Sequence, residues 1–417
     1  MLETLKNCWR VPELRKKILY TVGMLLLYRL AGVIPVAGID IAQVQAQMQK
    51  FSMLGFMSMM TGNQFNKMTI MAMGITPYIN SSIIMQLLTV AIPTLEKMQK
   101  EGEEGRKKIA QITRYVTVVL GFIQAVGLVY GLGGMREKTF GSALVIGLSM
   151  AAGSTFAMWT GEHITQNGVG NGVSLLIFSG IISNLFTWTS QGISNLVTGT
   201  QLISLITMLG VVITALVMIV SITFVNMGER RIPVQYAKRV VGRKMLGGQS
   251  THIPMKVDSS GVLPLIFAMS IIQFPGTIMA FWPNAPMSIW WNNQFLHGVL
   301  YQAIMALMII FFTYFYSSIT FNPVDISKNL QQNGGIIPGI RQGKPTSDFL
   351  ARTSHRIVLF DGIFLAVVWL IPTLMGRALV TQFPYGPTSL LIAVSVALET
   401  IRQLESQLLM RNYKGFL

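Results

Sequence analysis

The amino-acid sequence predicts an all-α polytopic membrane protein with ten transmembrane helices, and three observations lead to that fold class. First, 51% of the 417 residues are hydrophobic and only 12% are charged, whereas soluble domains carry roughly 25% charged residues. Second, apolar stretches long enough to cross a bilayer recur along the whole chain. Third, the basic residues are concentrated in alternate loops between those stretches.

The ten spans follow from hydropathy, because a membrane-crossing helix needs about 20 mostly apolar residues. They cover residues 18–36, 68–92, 112–133, 143–160, 172–190, 203–227, 262–282, 297–321, 357–375 and 386–404. Gly, Ser and Thr dilute the fourth, fifth and tenth spans. An even number of spans places both termini on the same side of the membrane.

The basic residues indicate which side that is. Of the 32 Lys and Arg residues, 26 lie in the terminal segments and the even-numbered loops, five lie in the odd-numbered loops, and Arg29 lies within the first span. Short loops rich in Lys and Arg remain in the cytoplasm. We therefore expect both termini and the even-numbered loops to be cytoplasmic.

Two cytoplasmic loops, residues 228–261 and 322–356, are long for a compact helix bundle and rich in Arg, Lys, Gly and Pro. The first contains seven basic residues: Arg230, Arg231, Lys238, Arg239, Arg243, Lys244 and Lys256. A few charges suffice to orient a loop. The excess favours a docking surface over a purely topological signal.

The long outer loop, residues 37–67, contains the apolar sequence FSMLGFMSMMTGN, which is too short to cross the membrane. One interpretation is a helix that lies at the membrane surface. The other is a short helix folded into the protein, since flexible Met side chains fill irregular spaces. The residues alone leave both interpretations open.

The sequence contains no residue pattern typical of an enzyme or a metal site. The four His residues form no HExxH, the single Cys8 cannot build a thiolate metal site, and GxSxG and Walker motifs are absent. GVGNGVS at 168–174 follows no soluble strand, so we expect a flexible joint there rather than a dinucleotide-binding loop. We predict a non-enzyme without cofactors.

Charged residues within the spans are scarce. Asp361 lies about one turn into the ninth span and Glu399 lies near the end of the tenth, so we expect both at the cytoplasmic interface. Ion-coupled carriers place functional carboxylates near the membrane centre. This pattern disfavours a secondary transporter for small solutes, which remains the alternative. An intramembrane enzyme would need catalytic groups that the spans lack.

Several long motifs, in order along the chain, resemble the SecY family of protein-translocation channels. They are MGITPYINSSIIMQLL (73–88), PTLEKMQKEGEEGRKKI (93–109), NGVGNGVSLLIFSGI (167–181), ERRIPVQYAKR (229–239), STHIPMKV (250–257), SSGVLPLIFAMSIIQFP (259–275), NPVDISKNLQQNGGIIPGIRQGK (322–344) and GPTSLLIAVSVALETI (386–401). The outer loops are individual in sequence, and GERRIP is one residue shorter than the family pattern. These departures affect loop contacts and leave the expected fold unchanged.

The resemblance implies a clamshell of two pseudo-symmetric, inverted halves around an hourglass pore. Its implied parts are a cytoplasmic N-terminus (1–17), an N-terminal half with helices one to five (18–190), a hinge loop (191–202), a C-terminal half with helices six to ten (203–404) and a cytoplasmic tail (405–417). It also implies a multi-pass protein of the bacterial cytoplasmic membrane.

The resemblance further implies a pore ring of apolar side chains. The ring residues are Ile75 and Ile79 on the second helix, Val173 and Ile177 on the fifth, Ile266 on the seventh and Ile392 on the tenth. Two of these pairs are four residues apart, which places each pair on one helix face. An apolar ring excludes ions by dewetting. Without the resemblance, helix packing or lipid contact would be the simpler interpretation of each residue.

A plug beneath the ring and a lateral gate are also implied. The plug is assigned to residues 53–62: Met53, Leu54, Gly55, Phe56, Met57, Ser58, Met59, Met60, Thr61 and Gly62. Helices two and three face helices seven and eight across the gate. Asn80, Ser81 and Gln124 are candidate gate residues, and ordinary hydrogen bonding between helices explains them equally well.

The family's long cytoplasmic loops bind the ribosome or the SecA motor ATPase. Arg230, Arg231, Lys238, Arg239, Arg243 and Lys244 suit ribosomal RNA phosphates or acidic motor surfaces. Arg341 in PGIRQGK matches a family arginine important for motor-driven transport, although it also fits as a topological charge. The other implied partners are the small subunits SecE and SecG, signal sequences, nascent secretory or membrane proteins, and membrane lipid.

Overall fold

A computed structural model gives the fold and describes residues 8–48, 61–137, 139–197, 202–236, 239–241, 244–246, 250–258, 261–279, 285–296, 298–378 and 388–414. Within these ranges the helices are α1 (Pro12–Ala31), α2 (Ile41–Met48), α3 (Thr76–Ala91), α4 (Pro93–Lys100), α5 (Glu103–Leu132), α6 (Phe140–Asn167), α7 (Gly172–Val197), α8 (Leu202–Met227), α9 (Leu263–Met279), α10 (Pro286–Trp290), α11 (Val299–Thr320), α12 (Pro323–Gln332), α13 (Lys344–Ala378) and α14 (Ser389–Lys414). A π-helical turn, Trp291–Phe295, follows α10.

Each of the ten predicted spans overlaps one long helix, which confirms the predicted helical fold class. By length and composition alone, α5, α6, α8, α11 and α13 can each cross a membrane, and the bent pair α3–α4 makes a sixth candidate among the described residues. Charges interrupt the apolar windows of α1 and α14. Among the described residues, the apolar parts of α7 and α9 are shorter.

The second span begins later than predicted, and it ends in a sharp bend. We predicted that it would begin at residue 68, but residues 61–75 form successive turns and α3 begins at Thr76. Positive φ angles at Met68 (45°) and Gly74 (52°) interrupt any helix there. At the other end the axis turns by 100° into α4, which has Pro93 in its first turn.

The helices form two groups. In the first, α6 packs against α1, α5 and α7, and α3 packs against α5. In the second, α11 packs against α9 and α13, and α8 packs against α14. The two groups meet where α7 contacts α8 and α14, and where α5 contacts α9. This arrangement places α5 and α7 of the first group and α8, α9 and α14 of the second at the boundary between the groups.

The glycine-rich stretch before α7 is a tightly packed junction, so the prediction of a flexible joint was wrong. A Cβ atom at Gly172 would lie 1.9 Å from the carbonyl oxygen of Gly161, and one at Gly168 would lie 2.4 Å from Thr21 Oγ1. The Val169 amide donates a hydrogen bond to the same Thr21 oxygen at 3.0 Å. The glycines thus allow α1, α6 and the start of α7 to approach closely.

The described parts of the two long loops, residues 228–261 and 322–356, form one small sheet unit, which the sequence analysis did not predict. Strand β1 (Glu229–Tyr236) pairs antiparallel with β4 (Ser250–Lys256) and, on its other edge, with β5 (Gly335–Ile336). Strands β2 (Arg239–Val241) and β3 (Lys244–Leu246) form a separate hairpin. A small core holds the unit together: Ile232, Val234, Met255, Leu330, Ile337 and Leu350. We call β1, β4, β5, α12 and the start of α13 the sheet unit.

Candidate pore and docking surface

Five of the six predicted ring residues meet in one apolar cluster. Ile75, Ile177 and Ile392 are buried, with exposed fractions of 6%, 4% and 2%, and partly buried Ile79 and Val173 pack against the same cluster. We call this group the ring cluster. It joins α3, α7 and α14, which belong to the two different helix groups. These five Ile and Val side chains contain no hydrogen-bond donors or acceptors.

The sixth ring residue, Ile266, lies in a neighbouring cluster. It is partly buried on α9 and packs with Leu265 and Phe267 among the helices of the second group. Ile79 packs against both clusters, so it connects Ile266 to the other ring residues. Val173 also approaches α6, since a Cβ atom at Gly161 would lie 3.3 Å from its Cγ2 atom. The ring therefore extends across two packed clusters.

Local backbone geometry positions the ring residues. Ile75 precedes the first turn of α3, and the Ile79 amide donates to its carbonyl oxygen at 3.1 Å. Asn171 caps α7, because its Oδ1 atom accepts hydrogen bonds from the amides of Val173 at 3.1 Å and Ser174 at 3.3 Å. Each pair of ring residues thus stays one helical turn apart.

Only the end of the predicted plug lies within the described residues. Met53, Leu54, Gly55, Phe56, Met57, Ser58, Met59 and Met60 lie outside them. Thr61 is buried, and its hydroxyl accepts a hydrogen bond from the Phe65 amide at 3.4 Å. Gly62 lies against Arg29 of α1 and Gly180 of α7. We call residues 61–64 the plug root.

The three candidate gate residues lie on α3 and α5. The Ser81 hydroxyl donates to the Pro77 carbonyl of its own helix at 2.8 Å. Gln124 is 8% exposed, and the buried Oδ1 atom of Asn80 has no hydrogen-bond partner in the described part of the chain. No hydrogen bond joins the three side chains to one another within those residues. Ser81 therefore fits ordinary helix packing best, and Asn80 retains an unused acceptor.

The predicted basic docking residues lie on the sheet unit and its hairpin. Arg230 and Arg231 are exposed on β1, and Arg231 forms an ion pair with Glu229. Arg239 and Lys244 lie on β2 and β3, at the far end of the same loop. Lys238 and Arg243 lie outside the described residues. Ile232 and Val234 are buried between these exposed positions, so β1 has one basic edge and one apolar face.

Arg341 is exposed on a loop that several hydrogen bonds fasten. Its carbonyl oxygen accepts a bond from Thr346 Oγ1 at 2.8 Å, and Ser327 Oγ donates to the Gly343 carbonyl at 2.7 Å. Gln342 Nε2 donates to the Gly335 carbonyl on β5 at 3.1 Å. The loop thus presents a charged side chain from a defined backbone that is joined to the sheet unit.

Sequence analysis missed a polar junction at the base of the sheet unit. Arg402 on α14 donates to the Asn226 carbonyl at 2.9 Å, and the Asn226 side chain donates to Ser395 Oγ at 3.0 Å. Asp258 accepts a hydrogen bond from the Gly261 amide at 2.7 Å. Burial raises the pKa of the Asp258 carboxyl, and that bond and the nearby charges of Lys256 and Arg402 oppose the rise.

Asp361, which we expected near the cytoplasmic interface, is completely buried in the middle of α13. Val358 and Leu365 lie one turn away on either side and are also buried. Asp361 therefore faces the helix bundle. Hydropathy alone does not show this burial, because it depends on which helix face meets the neighbouring helices.

Comparisons with known proteins point to the same family as the sequence motifs. The SecY family model matches residues 69–401. The chain is 41% identical to the protein translocase subunit SecY of Halalkalibacterium halodurans, over 100% of both chains. It is also similar to a solved structure of a SecY protein, with a TM-score of 0.67 and 20% identity over 94% of this chain and 91% of that one. The plug domain of that protein is described as stabilising the closed state of the translocation channel and maintaining a membrane seal.

A second solved structure is that of Sec61 in the canine ribosome-channel complex from the endoplasmic reticulum. Its TM-score is 0.64 at 18% identity, over 94% of this chain and 91% of that one. At these low identities the two structures show the shared fold alone. The full-length similarity to the bacterial relative carries the family assignment.

Proposed function

The chain belongs to the SecY family, and from this premise we propose that it forms the protein-conducting channel of a protein translocase. Unfolded secretory polypeptides cross the membrane through it, and signal sequences and transmembrane segments leave into lipid through a lateral gate. The observation that carries the proposal is the ring cluster, in which α3, α7 and α14 converge on buried Ile side chains. Family membership argues against the alternative of a small-solute transporter.

The ring cluster suits a pore that must pass many different sequences. Apolar side chains exclude ions by dewetting. They also lack donors and acceptors that would hold a peptide backbone in place. The β-branched Ile and Val side chains have few rotamers, so they form a compact constriction. These properties support Ile75, Ile79, Val173, Ile177, Ile266 and Ile392 as the ring.

The lateral gate lies between α3 and α5 on one side and α9 and α11 on the other. Two packing features support this assignment: α5 contacts α9, and Ile83 of α3 is buried in the cluster formed by the second helix group. An apolar signal sequence that parts these helices gains about 25 cal/mol for each Å² removed from water. Asn80, Ser81 and Gln124 would line its path, and the unused acceptor of Asn80 is available to a passing backbone amide.

Energy for transport comes from partners, which we propose to be the SecA motor ATPase and the ribosome. The exposed arginines of β1 and Arg341 present positive charge from one rigid unit. SecE and SecG complete the translocase in the bacterial cytoplasmic membrane. Both termini and the sheet unit face the cytoplasm, as the 26 basic residues on that side indicate.

Disulfide cross-linking tests whether a polypeptide passes through the ring. Cys8→Ser leaves a cysteine-free chain, and single cysteines are then placed at Ile79 and Ile392. Leu26→Cys and Val220→Cys serve as controls, because these side chains are 60% and 66% exposed on outer helix faces. A stalled secretory precursor with one cysteine should form disulfides with the ring positions only. Stalled precursor without ring adducts, in functional variants, would contradict the proposed channel.

A further inference from the structure

Arg29 is a charged residue within a span, where an unpaired cation is costly. It lies in the last turn of α1 and is partly buried. Its Nη2 atom donates a hydrogen bond to the carbonyl oxygen of Ser179 on α7. Among the described residues no carboxylate lies within ion-pair distance of it. The Arg29 guanidinium is therefore hydrogen-bonded to the backbone of α7.

The plug root lies directly on this guanidinium group. Gly62 has a φ angle of +67°, and a Cβ atom there would lie 2.5 Å from Arg29 Nη1 and 2.9 Å from Nη2. The same Cβ atom would lie 3.1 Å from the Cα atom of Gly180 on α7. Gly62 is therefore enclosed by the Arg29 side chain on one side and the α7 backbone on the other.

Two neighbours of Arg29 hold the next part of the plug root. The Tyr28 hydroxyl donates to Gln64 Oε1 at 3.4 Å. A Cβ atom at Gly32 would lie 2.2 Å from Gln64 Nε2. The end of α1 thus contacts the plug root at both Gly62 and Gln64.

We propose that Arg29 is a positioning residue that clamps the plug root against α7 and keeps the resting channel sealed. The inference rests on the proposed function. Ser179 and Gly180 follow the ring residue Ile177 by two and three positions on α7. An outward movement of α7 that widens the ring would also break the Arg29 hydrogen bond and remove the surface beneath Gly62. Release of the plug root is thereby coupled to opening of the ring.

Arg29→Met tests the clamp, because it keeps a long side chain and removes the donors. The purified translocase is reconstituted in vesicles, and resting iodide efflux and precursor transport are both measured. Loss of a charge-assisted hydrogen bond should raise resting efflux by about tenfold. Transport should be retained or faster, whereas a merely misfolded channel would lose transport. Arg29→Lys keeps a donor and should restore most of the seal.

A glycine pair gives a matched second test. Gly62→Ala and Gly133→Ala introduce the same methyl group at φ angles of +67° and +60°, but no atom lies within 4 Å of a Cβ at Gly133. Only Gly62→Ala should raise iodide efflux. If Arg29→Met fails to assemble, the comparison of Gly62→Ala with Gly133→Ala still tests the clamp. Wild-type efflux in transporting Arg29→Met or Gly62→Ala channels would overturn the clamp. A wild-type channel that transports no precursor would instead contradict the proposed function.

Discussion

The ring cluster keeps Ile75, Ile177 and Ile392 away from solvent, whereas the sheet unit turns Arg230 and Arg231 towards it. The first surface is helical and apolar and has no charge to attract a partner. The second is a sheet whose apolar face is buried and whose edge is basic. The difference shows how one chain combines a surface that must not hold its substrate with a surface that must hold its partners.

The largest effect is expected from a charge placed in the ring cluster. Ile392→Asp buries a carboxylate without a partner and should lower the free energy of unfolding by about 3–5 kcal/mol. Ile336→Asp on β5 is the matched change in the sheet unit, where the side chain is 43% exposed, and it should cost below about 1 kcal/mol. Thermal unfolding of both purified variants measures the contrast, and equal losses would refute it.

Cavity formation in the sheet unit should have the next largest effect. Ile232 is 3% exposed in the small core, so Ile232→Ala should destabilise the unit by about 2–4 kcal/mol. We expect faster proteolysis within residues 228–261 while the helices remain intact. Gln235→Ala, at an exposed position on the same strand, is the control. Protection equal to that of the wild type would show that the unit does not depend on this core.

Ribosome binding should depend more on Arg230 than on the neighbouring Arg231. Arg231 already forms an ion pair with Glu229, whereas Arg230 forms none with any of the described residues. If Arg230 contacts a phosphate, Arg230→Ala should reduce the slope of log affinity against log salt by about one. Arg231→Ala should change it less. Binding measured at several salt concentrations tests this, and identical slopes for both variants would rule it out.

The smallest effect concerns the polar junction that joins the sheet unit to α14. Burial raises the pKa of the Asp258 carboxyl above its ordinary value of 3.8. The stability that the protonated carboxyl contributes is therefore complete below pH 3.8, and it is lost as the pH rises through the raised pKa. Asp258→Asn mimics the protonated acid and should be more stable than the wild type at neutral pH. Unfolding measured from pH 3.5 to 7 should show the difference shrinking towards acid. A constant difference would contradict this account.

Hydropathy and charge determined much of the fold in advance. Each of the ten predicted spans overlaps one long helix, because helices of membrane-crossing composition can be read from local hydropathy along the chain. The expectation of two cytoplasmic docking loops likewise came from a count of Lys and Arg. The ring residues required the family resemblance, because an Ile on a helix face looks the same in a pore, a core or a lipid contact.

Contacts between distant segments decided the rest. The pairing of Gln235 with Ile336 joins two loops that are about a hundred residues apart, and no local pattern specifies that register. The turns before Thr76, the burial of Asp361 and the contact of Arg29 with Gly62 likewise depend on neighbours that are remote in sequence. By itself the sequence determined where the long apolar helices and the positive charge lie. Only the tertiary structure decided which side chains face one another, because burial and steric fit are properties of the assembled chain.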